Sequence, residues 1–354
     1  LKKVLIGGTS AFNDPSEPDS PTHNSTLFFQ GTENTLGMVI EDDYARLQNC
    51  LINEADKVRI SNRSFCLAPD KEYTFSYSFY PTASGDYWDF INTVRHDWRL
   101  NHTLDGNILL ATTPHKMLCD CHSDSNQIYR DLIKNYHQHL GIKYISAANG
   151  IWMGNSQLYG IPGSTSFMKA YDSEATMIER YKEATKIAPM ISTELRPFAL
   201  IQTIYAGPAQ MVGEKAIPFA DSCIVEANSK PRQIEVTDPE GKKVLGYVCP
   251  HYPALGNSYF DYLKHLVAVT QETGIKDIYF DTVTFSYWTP YGRWTYDRWD
   301  GLTCDMDIKT WTIKQKKCDL ALYCADALLA LFDQVAAGGG KVITNGSWIP
   351  QKML

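Results

Sequence analysis

The chain has 354 residues, a formal net charge of −7, 44% apolar and 21% charged residues, the balance of a globular soluble protein. No long run of either charge sign is present, which disfavours a nucleic-acid or anionic-membrane surface, since both need concentrated Lys and Arg. No membrane span is expected, and the length allows one large domain or two ordinary ones.

Residues 1–72 carry short β-type runs (Val4 to Ile6, Met38 to Ile40, Val58 to Ile60) among Ser, Thr, Asn, Asp and Pro. Only Asp43 to Ile52 suggests a helical period. The segment is read as a β-rich N-terminal piece, the remnant of a β-sandwich domain. From Tyr73 the pattern changes, and residues 73–354 are read as the second domain. Tyr73 to Pro81 alternates like a strand, and Trp88, Ile91, Val94 and Trp98 fall on one helical face.

Asn107 to Pro114 is a short buried-type strand, and a helix from Gln127 to His139 ends at Gly141. Lys143 to Gly150 and Phe198 to Gly207 read as strands either side of a helix over Glu174 to Lys186. Arg232 to Pro250 is a hairpin, because Asp238-Pro-Glu-Gly241 has the chemistry of a tight turn. Asn257 or Ser258 then caps a helix whose stripe is Phe260, Leu263, Val267 and Thr270, stopped by Gly274. Lys276 to Asp281 is the next strand. A long helix is expected over Ile313 to Val335, stopped by Gly338-Gly-Gly340 and followed by a strand over Lys341 to Gly346.

Alternating strands and helices imply a parallel sheet covered by helices. The number of units suits a (β/α)8 TIM barrel, with a doubly wound sheet as the alternative.

Several short motifs carry no chemistry. Gly338 to Lys341 lacks phosphate-loop spacing, and the Gly-Gly after Ile6 lacks the dinucleotide fingerprint, so no cofactor is expected. Cys119 to Asp124 (CDCHSD) holds Cys, Asp and His, but adjacent ligands rarely chelate one tetrahedral ion. A disulfide-bearing loop is expected there, and no metal. His137 and His139 point to different faces of their helix. Four sequons, at Asn24, Asn62, Asn101 and Asn345, together with nine Cys favour a secreted or cell-surface protein. The start at Leu1 rather than Met suggests a portion of something longer.

The residue that stands out is Asp281, at the tip of the apolar run Asp277-Ile-Tyr-Phe-Asp281. In a β/α barrel the chemistry sits at the C-terminal ends of the strands. After it comes a loop with Tyr287, Trp288, Tyr291, Trp294, Tyr296 and Trp299, flat faces suited to stacking on sugars. Asp297, Asp300 and Asp305 lie on the same excursion, and Glu194 and Glu226 are further acids. Glycosidic cleavage needs two carboxyl groups, one to protonate the leaving oxygen and one as nucleophile or base. The other reading is a turn-capping Asp beside a loop that packs on itself.

The stretch from Gly246 to Thr282, with Cys249-Pro250 before its helix and Asp281 at its end, resembles the late segment of glycosidase-like TIM barrels. Gly85 to Trp98 is similar to the first barrel helix of such proteins, after a β-sandwich. Lys276-Asp277 stands where those families often carry Asp-Gly. The resemblance implies a glycoside hydrolase with Asp281 as nucleophile or base, and Asp300 or Asp297 as acid. His251, Tyr252, Trp288, Trp294 and Trp299 are the expected carbohydrate-binding residues. The alternative is a non-catalytic carbohydrate-binding or extracellular structural protein on the same fold.

Overall fold

The computed structural model describes residues 3–6, 26–31, 34–48, 50–54, 57–100, 105–109, 127–147, 174–208, 219–232, 234–237, 243–281, 283, 292–307 and 309–345. The N-terminal part begins with β1 (Lys3–Ile6), β2 (Thr26–Gln30), β3 (Thr35–Ile40), α1 (Asp43–Gln48), β4 (Cys50–Glu54), β5 (Lys57–Ser61) and β6 (Tyr77–Thr82). β1, β2, β3 and β6 form one antiparallel sheet in that order, and β4 pairs with β5 as a separate hairpin. The alternating Tyr73 to Pro81 segment therefore belongs with the N-terminal sheet, through the pairing of β6 with β3.

α2 (Tyr87–Asp97), capped by Asp86, lies on this sheet. Its buried residues are Phe90 and Val94, with Phe90 stacked on Phe28. Trp88, expected on the packed face, is 65% exposed instead. Phe90 takes its place because Gly37 leaves room there: a Cβ on Gly37 would stand 2.1 Å from the Phe90 ring.

The remaining elements build a second layer system. β7 (Asn107–Leu109), α3 (Gln127–Leu140), β8 (Ile142–Ser146), α4 (Glu174–Ile191) and β9 (Arg196–Gln202) alternate. An antiparallel insertion follows, made of β10 (Tyr205–Pro208), β11 (Ile234–Thr237) and β12 (Lys243–His251). Then come α5 (Ser258–Glu272) and β13 (Asp277–Asp281). A small excursion holds β14 (Trp294–Thr295), β15 (Cys304–Asp307), β16 (Thr312–Lys316) and β17 (Cys318–Asp319). The chain closes with α6 (Leu320–Tyr323), α7 (Ala325–Ala337) and β18 (Val342–Thr344).

β7, β8, β9, β13 and β18 lie side by side in sequence order, every pairing parallel. This is a five-stranded parallel half-barrel sheet in a mixed α/β protein. A doubly wound sheet would reverse its strand order and put helices on both faces. Here the order never reverses. Ile145, Ala199, Ile201, Ile278 and Phe280 share one core with residues of α3, α4, α5, α6 and α7. Tyr144, Phe198, Leu200 and Ile343, with Ile108 and Tyr279 beside them, form a separate cluster on the other face.

The helix over Glu174 runs on to Ile191, with Pro189 inside it. The expected helix over Ile313 to Val335 is corrected at its start. Thr312–Lys316 is a strand paired with Cys304–Asp307, as its alternation of Ile313 and Gln315 with Thr312, Lys314 and Lys316 allows. Helix begins only after Asp319, whose side chain accepts from Ala321 N. Leu320–Ala337 is also one 18-residue stretch long and apolar enough to cross a membrane by length and composition. In the fold it places Leu328, Leu331 and Val335 in the main core.

Candidate functional site at the carboxyl edge of the sheet

β13 sits between β9 and β18. Its two ends carry acids with different surroundings. Asp277 is buried and held by Arg196 (Nε to Oδ2 2.7 Å, Nη2 to Oδ1 2.6 Å) and by the Lys341 backbone N–H at 2.7 Å. That carboxylate closes the amino end of the sheet.

Asp281 is at the opposite end and half-buried. Successive residues of a strand alternate between faces, so Asp281 lies on the face of Tyr279, turned away from the helices. The same alternation places Gln202 beyond Leu200 on β9, Ser146 beyond Tyr144 on β8, and Asn345 beyond Ile343 after β18. Four neighbouring strands thus pass from apolar to polar side chains on the face opposite the described helices as they approach their carboxyl ends. Asp281 and Gln202 are register partners. The Asn345 amide Nδ2 donates to Asp281 Oδ1 at 2.8 Å. Beneath this contact, the Thr203 N–H and hydroxyl both donate to the Asp281 carbonyl, at 3.0 and 2.9 Å.

Asp297 and Asp300 belong to the excursion after β13, and among the described residues no hydrogen bond or ion pair joins either to Asp281. Asp300 orders its own loop. Oδ1 accepts from Leu302 N (3.0 Å) and Thr303 N (2.8 Å), and Oδ2 accepts from the Thr303 hydroxyl (2.6 Å) and Asp319 N (2.8 Å). Asp297 pairs with Arg298 at 2.7 Å and accepts from the Thr295 hydroxyl. Asp305 pairs with Lys317 at 2.6 Å and accepts from Tyr296 Oη at 2.8 Å.

Trp288 lies outside the described residues. Trp294 has the cations of Arg293 and Lys317 at 4.5 and 4.0 Å from its ring centre. Trp299 has the Lys316 ammonium at 3.9 Å, and its Nε1–H donates to Thr303 O. Tyr252 is fully buried, with Arg298 over its ring at 5.3 Å. Burial, and then the Asp297 charge, push its hydroxyl up from the usual phenol range.

His251 is also fully buried, in a constellation that spacing alone does not reveal. Cys223 faces His251 across an antiparallel bridge, and Cys249 lies two residues before it on β12. Cys223 Sγ is 3.1 Å from Cys249 Sγ and 3.2 Å from His251 Nε2, while Cys249 Sγ is 3.8 Å from Nε2. The one sequence signal is Cys-x-His on a strand, where i and i+2 share a face. The third member stands 26 residues earlier than Cys249. The Cys119 to Asp124 motif lies outside the described residues.

Two of the four sequon asparagines are described. Asn62 Oδ1 accepts from Ser64 N at 2.9 Å, and its Nδ2 faces Gln48 Oε1 at 3.4 Å. Asn345 is the partner of Asp281; Asn24 and Asn101 lie outside the described residues.

No family model matches the chain, and no curated protein matches it. Among solved structures, an α-galactosidase from Thermus thermophilus in complex with stachyose is similar with a TM-score of 0.42 and 10% identity. The match covers 92% of this chain and 55% of that one, so the chain spans about half the length of that protein.

Proposed function

We propose that the chain is a glycoside hydrolase on a (β/α)8 barrel, with Asp281 as nucleophile or general base. One observation carries the reading: polar side chains gather on the face opposite the described helices at the carboxyl ends of four adjacent parallel strands, and of Ser146, Gln202, Asp281 and Asn345 one is a carboxylate. In open and closed β/α sheets alike, ligands bind outside these strand ends. Asn345 fixes one carboxylate oxygen of Asp281, the orientation that a nucleophile or base requires. We propose residues 1–72 as the β-rich neighbour of this barrel, with β6 completing its sheet, and a carbohydrate as the ligand.

Asp300 and Asp297 are taken up by donors of their own loop, so the catalytic proposal rests on Asp281. Their commitment to protein donors is also what favours the second reading, a carbohydrate-binding protein without hydrolysis. We propose a secreted or surface location, with Asn24 and Asn101 as the sequons open to glycans. Asn345 is proposed unmodified, because its Nδ2 is the atom a glycan would take.

The test is hydrolysis of a panel of aryl glycosides and oligosaccharides by the wild type and Asp281→Asn. A general base contributes about 10²–10⁴-fold, and a loss of that size is expected. Full activity in Asp281→Asn would overturn the assignment. Glycan binding without turnover by the wild type would select the second reading.

A further inference from the structure

The Cys223, Cys249 and His251 cluster is separate in its residues from the Asp281 edge, and nothing in the proposed hydrolysis uses it. All three side chains are buried, and their donor atoms lie within 4.8 Å of one another. The backbone makes the cluster rigid. Ile224 N donates to Pro250 O at 2.9 Å, and Tyr252 N donates to Ser222 O at 3.0 Å. These bonds flank the Cys223–His251 bridge and hold its two segments in register. Cys249 and His251 project from the same face of β12, toward Cys223. The edge of the Phe219 ring approaches His251, with centroids 6.2 Å apart.

We propose that Cys223, Cys249 and His251 form a zinc site that ties β12 to the segment 222–225. Two sulfurs and an imidazole nitrogen are the donor set that zinc takes among the common divalent ions. Zinc–sulfur bonds of about 2.3 Å and zinc–nitrogen bonds of about 2.0–2.1 Å in a tetrahedron require donor separations of roughly 3.6–3.8 Å. The sulfur–nitrogen edges of 3.2 and 3.8 Å reach this with shifts of a few tenths of an ångström, and the sulfur–sulfur edge of 3.1 Å opens by about 0.7 Å, shared between two side chains. A disulfide would instead need the sulfurs to close to about 2.05 Å, and it gives no role to the converging imidazole. Binding converts two thiols to thiolates and releases two protons, with the imidazole neutral and a water as fourth ligand.

The test is metal analysis of the full chain purified without added chelator, followed by replacement of the bound ion with cobalt(II). About one zinc per chain is expected, and the cobalt form should show intense near-ultraviolet thiolate-to-metal absorption. Cys223→Ser and His251→Ala should each remove the metal, while Cys66→Ser should retain it. Should the site variants fail to fold, the wild type decides alone: chelation should expose two thiols to alkylation, mapped by peptide mass to Cys223 and Cys249. A wild type without zinc or cobalt absorption overturns the proposal. So does a Cys223–Cys249 disulfide in a non-reducing peptide map.

Discussion

Replacing Asp319 with Ala should destabilise the protein more than any surface change of equal size. Asp319 and Arg293 are buried to 0% and 1% side-chain exposure, and Arg293 Nη2 reaches Asp319 Oδ2 at 2.5 Å. The same carboxylate accepts from Arg293 Nε, from Gln48 Nε2 at 2.9 Å and from Ala321 N at 3.1 Å. Asp319→Ala therefore strands a buried guanidinium, at a cost of about 3–5 kcal/mol. It also removes a helix cap worth about 1 kcal/mol. The sum, about 4–6 kcal/mol, approaches or exceeds the lower part of the roughly 5–15 kcal/mol by which domains are stable. In urea unfolding followed by tryptophan fluorescence, the excursion should lose its protected signal at much lower denaturant, or the variant should be insoluble. The double variant Arg293→Met, Asp319→Leu removes the charge together with its partner, so it should lose less than Asp319→Ala alone. A shift of less than about 1 kcal/mol in Asp319→Ala, on the scale of a surface ion pair, would show that the buried pair does not hold the excursion. A double variant worse than the single one would count equally against the stranded charge as the cause.

Asp300→Ala removes the acceptor for four donors and should cost about 2–3 kcal/mol, read as a lower melting temperature; unchanged stability would return Asp300 to the pool of catalytic acids. Gly37→Ala drives a Cβ into the Phe90 ring and should cost about 1–3 kcal/mol by overpacking, measured by urea unfolding; a neutral result would mean that α2 lifts freely from the sheet. Asn345→Ala should lower kcat by less than Asp281→Asn does, in the same glycoside assay, because it frees the carboxylate without removing it. Burial and the hydrogen bond to Asp97 push the Tyr80 phenol up to about 12 from an ordinary value of 10. Above pH 10 the unfolded chain therefore binds fewer protons than the folded one, and stability should fall as pH rises from 10 to 12. Urea midpoints that stay level across that window would contradict this, and Tyr80→Phe should flatten part of the slope.

Local chemistry made some elements legible and left others hidden. Asn257 caps α5 as its type suggests, with its side chain accepting from Phe260 N, and the stripe Phe260, Leu263, Val267 and Thr270 is buried. Gly141 and Gly274 hold positive φ where helices end, a conformation that costs other residues more. β11 and β12 pair antiparallel within the expected hairpin, whose turn residues lie outside the described residues. Long-range packing decided the rest. The phase of α2 depends on Gly37, some fifty residues earlier, which a helical wheel cannot contain. The start of the last helix was masked by Ile313, whose spacing to the later apolar residues fits a helix although the strand pairing wins. Asp281 stands out in the sequence because an apolar run ends on an acid, and its catalytic role is a proposal. The Cys223–His251 pairing does not stand out, because an antiparallel register brings together residues from different stretches.

The aromatic excursion bears on how a sugar could meet Asp281. Stacking on a sugar needs an open ring face, because the contribution comes from desolvating apolar C–H groups against the π surface. Trp294 and Trp299 each carry a cation of the same chain within about 4–4.5 Å of the ring centre, a contact that already satisfies the negative face of the ring. The N-terminal part then fastens the excursion from its other side. Cys66 N donates to Leu302 O, Cys304 N donates to Ser64 O, and Gln48 Nε2 reaches Thr303 and Asp319. The excursion is therefore a braced wall joining the two β systems, and its tryptophans stiffen that wall through their own lysines and arginines. Of the polar row, Asp281 and Asn345 are the members open to the proposed ligand, since Ser146 and Gln202 are buried. On this account, Lys316→Ala and Lys317→Ala should change stability before they change any sugar preference.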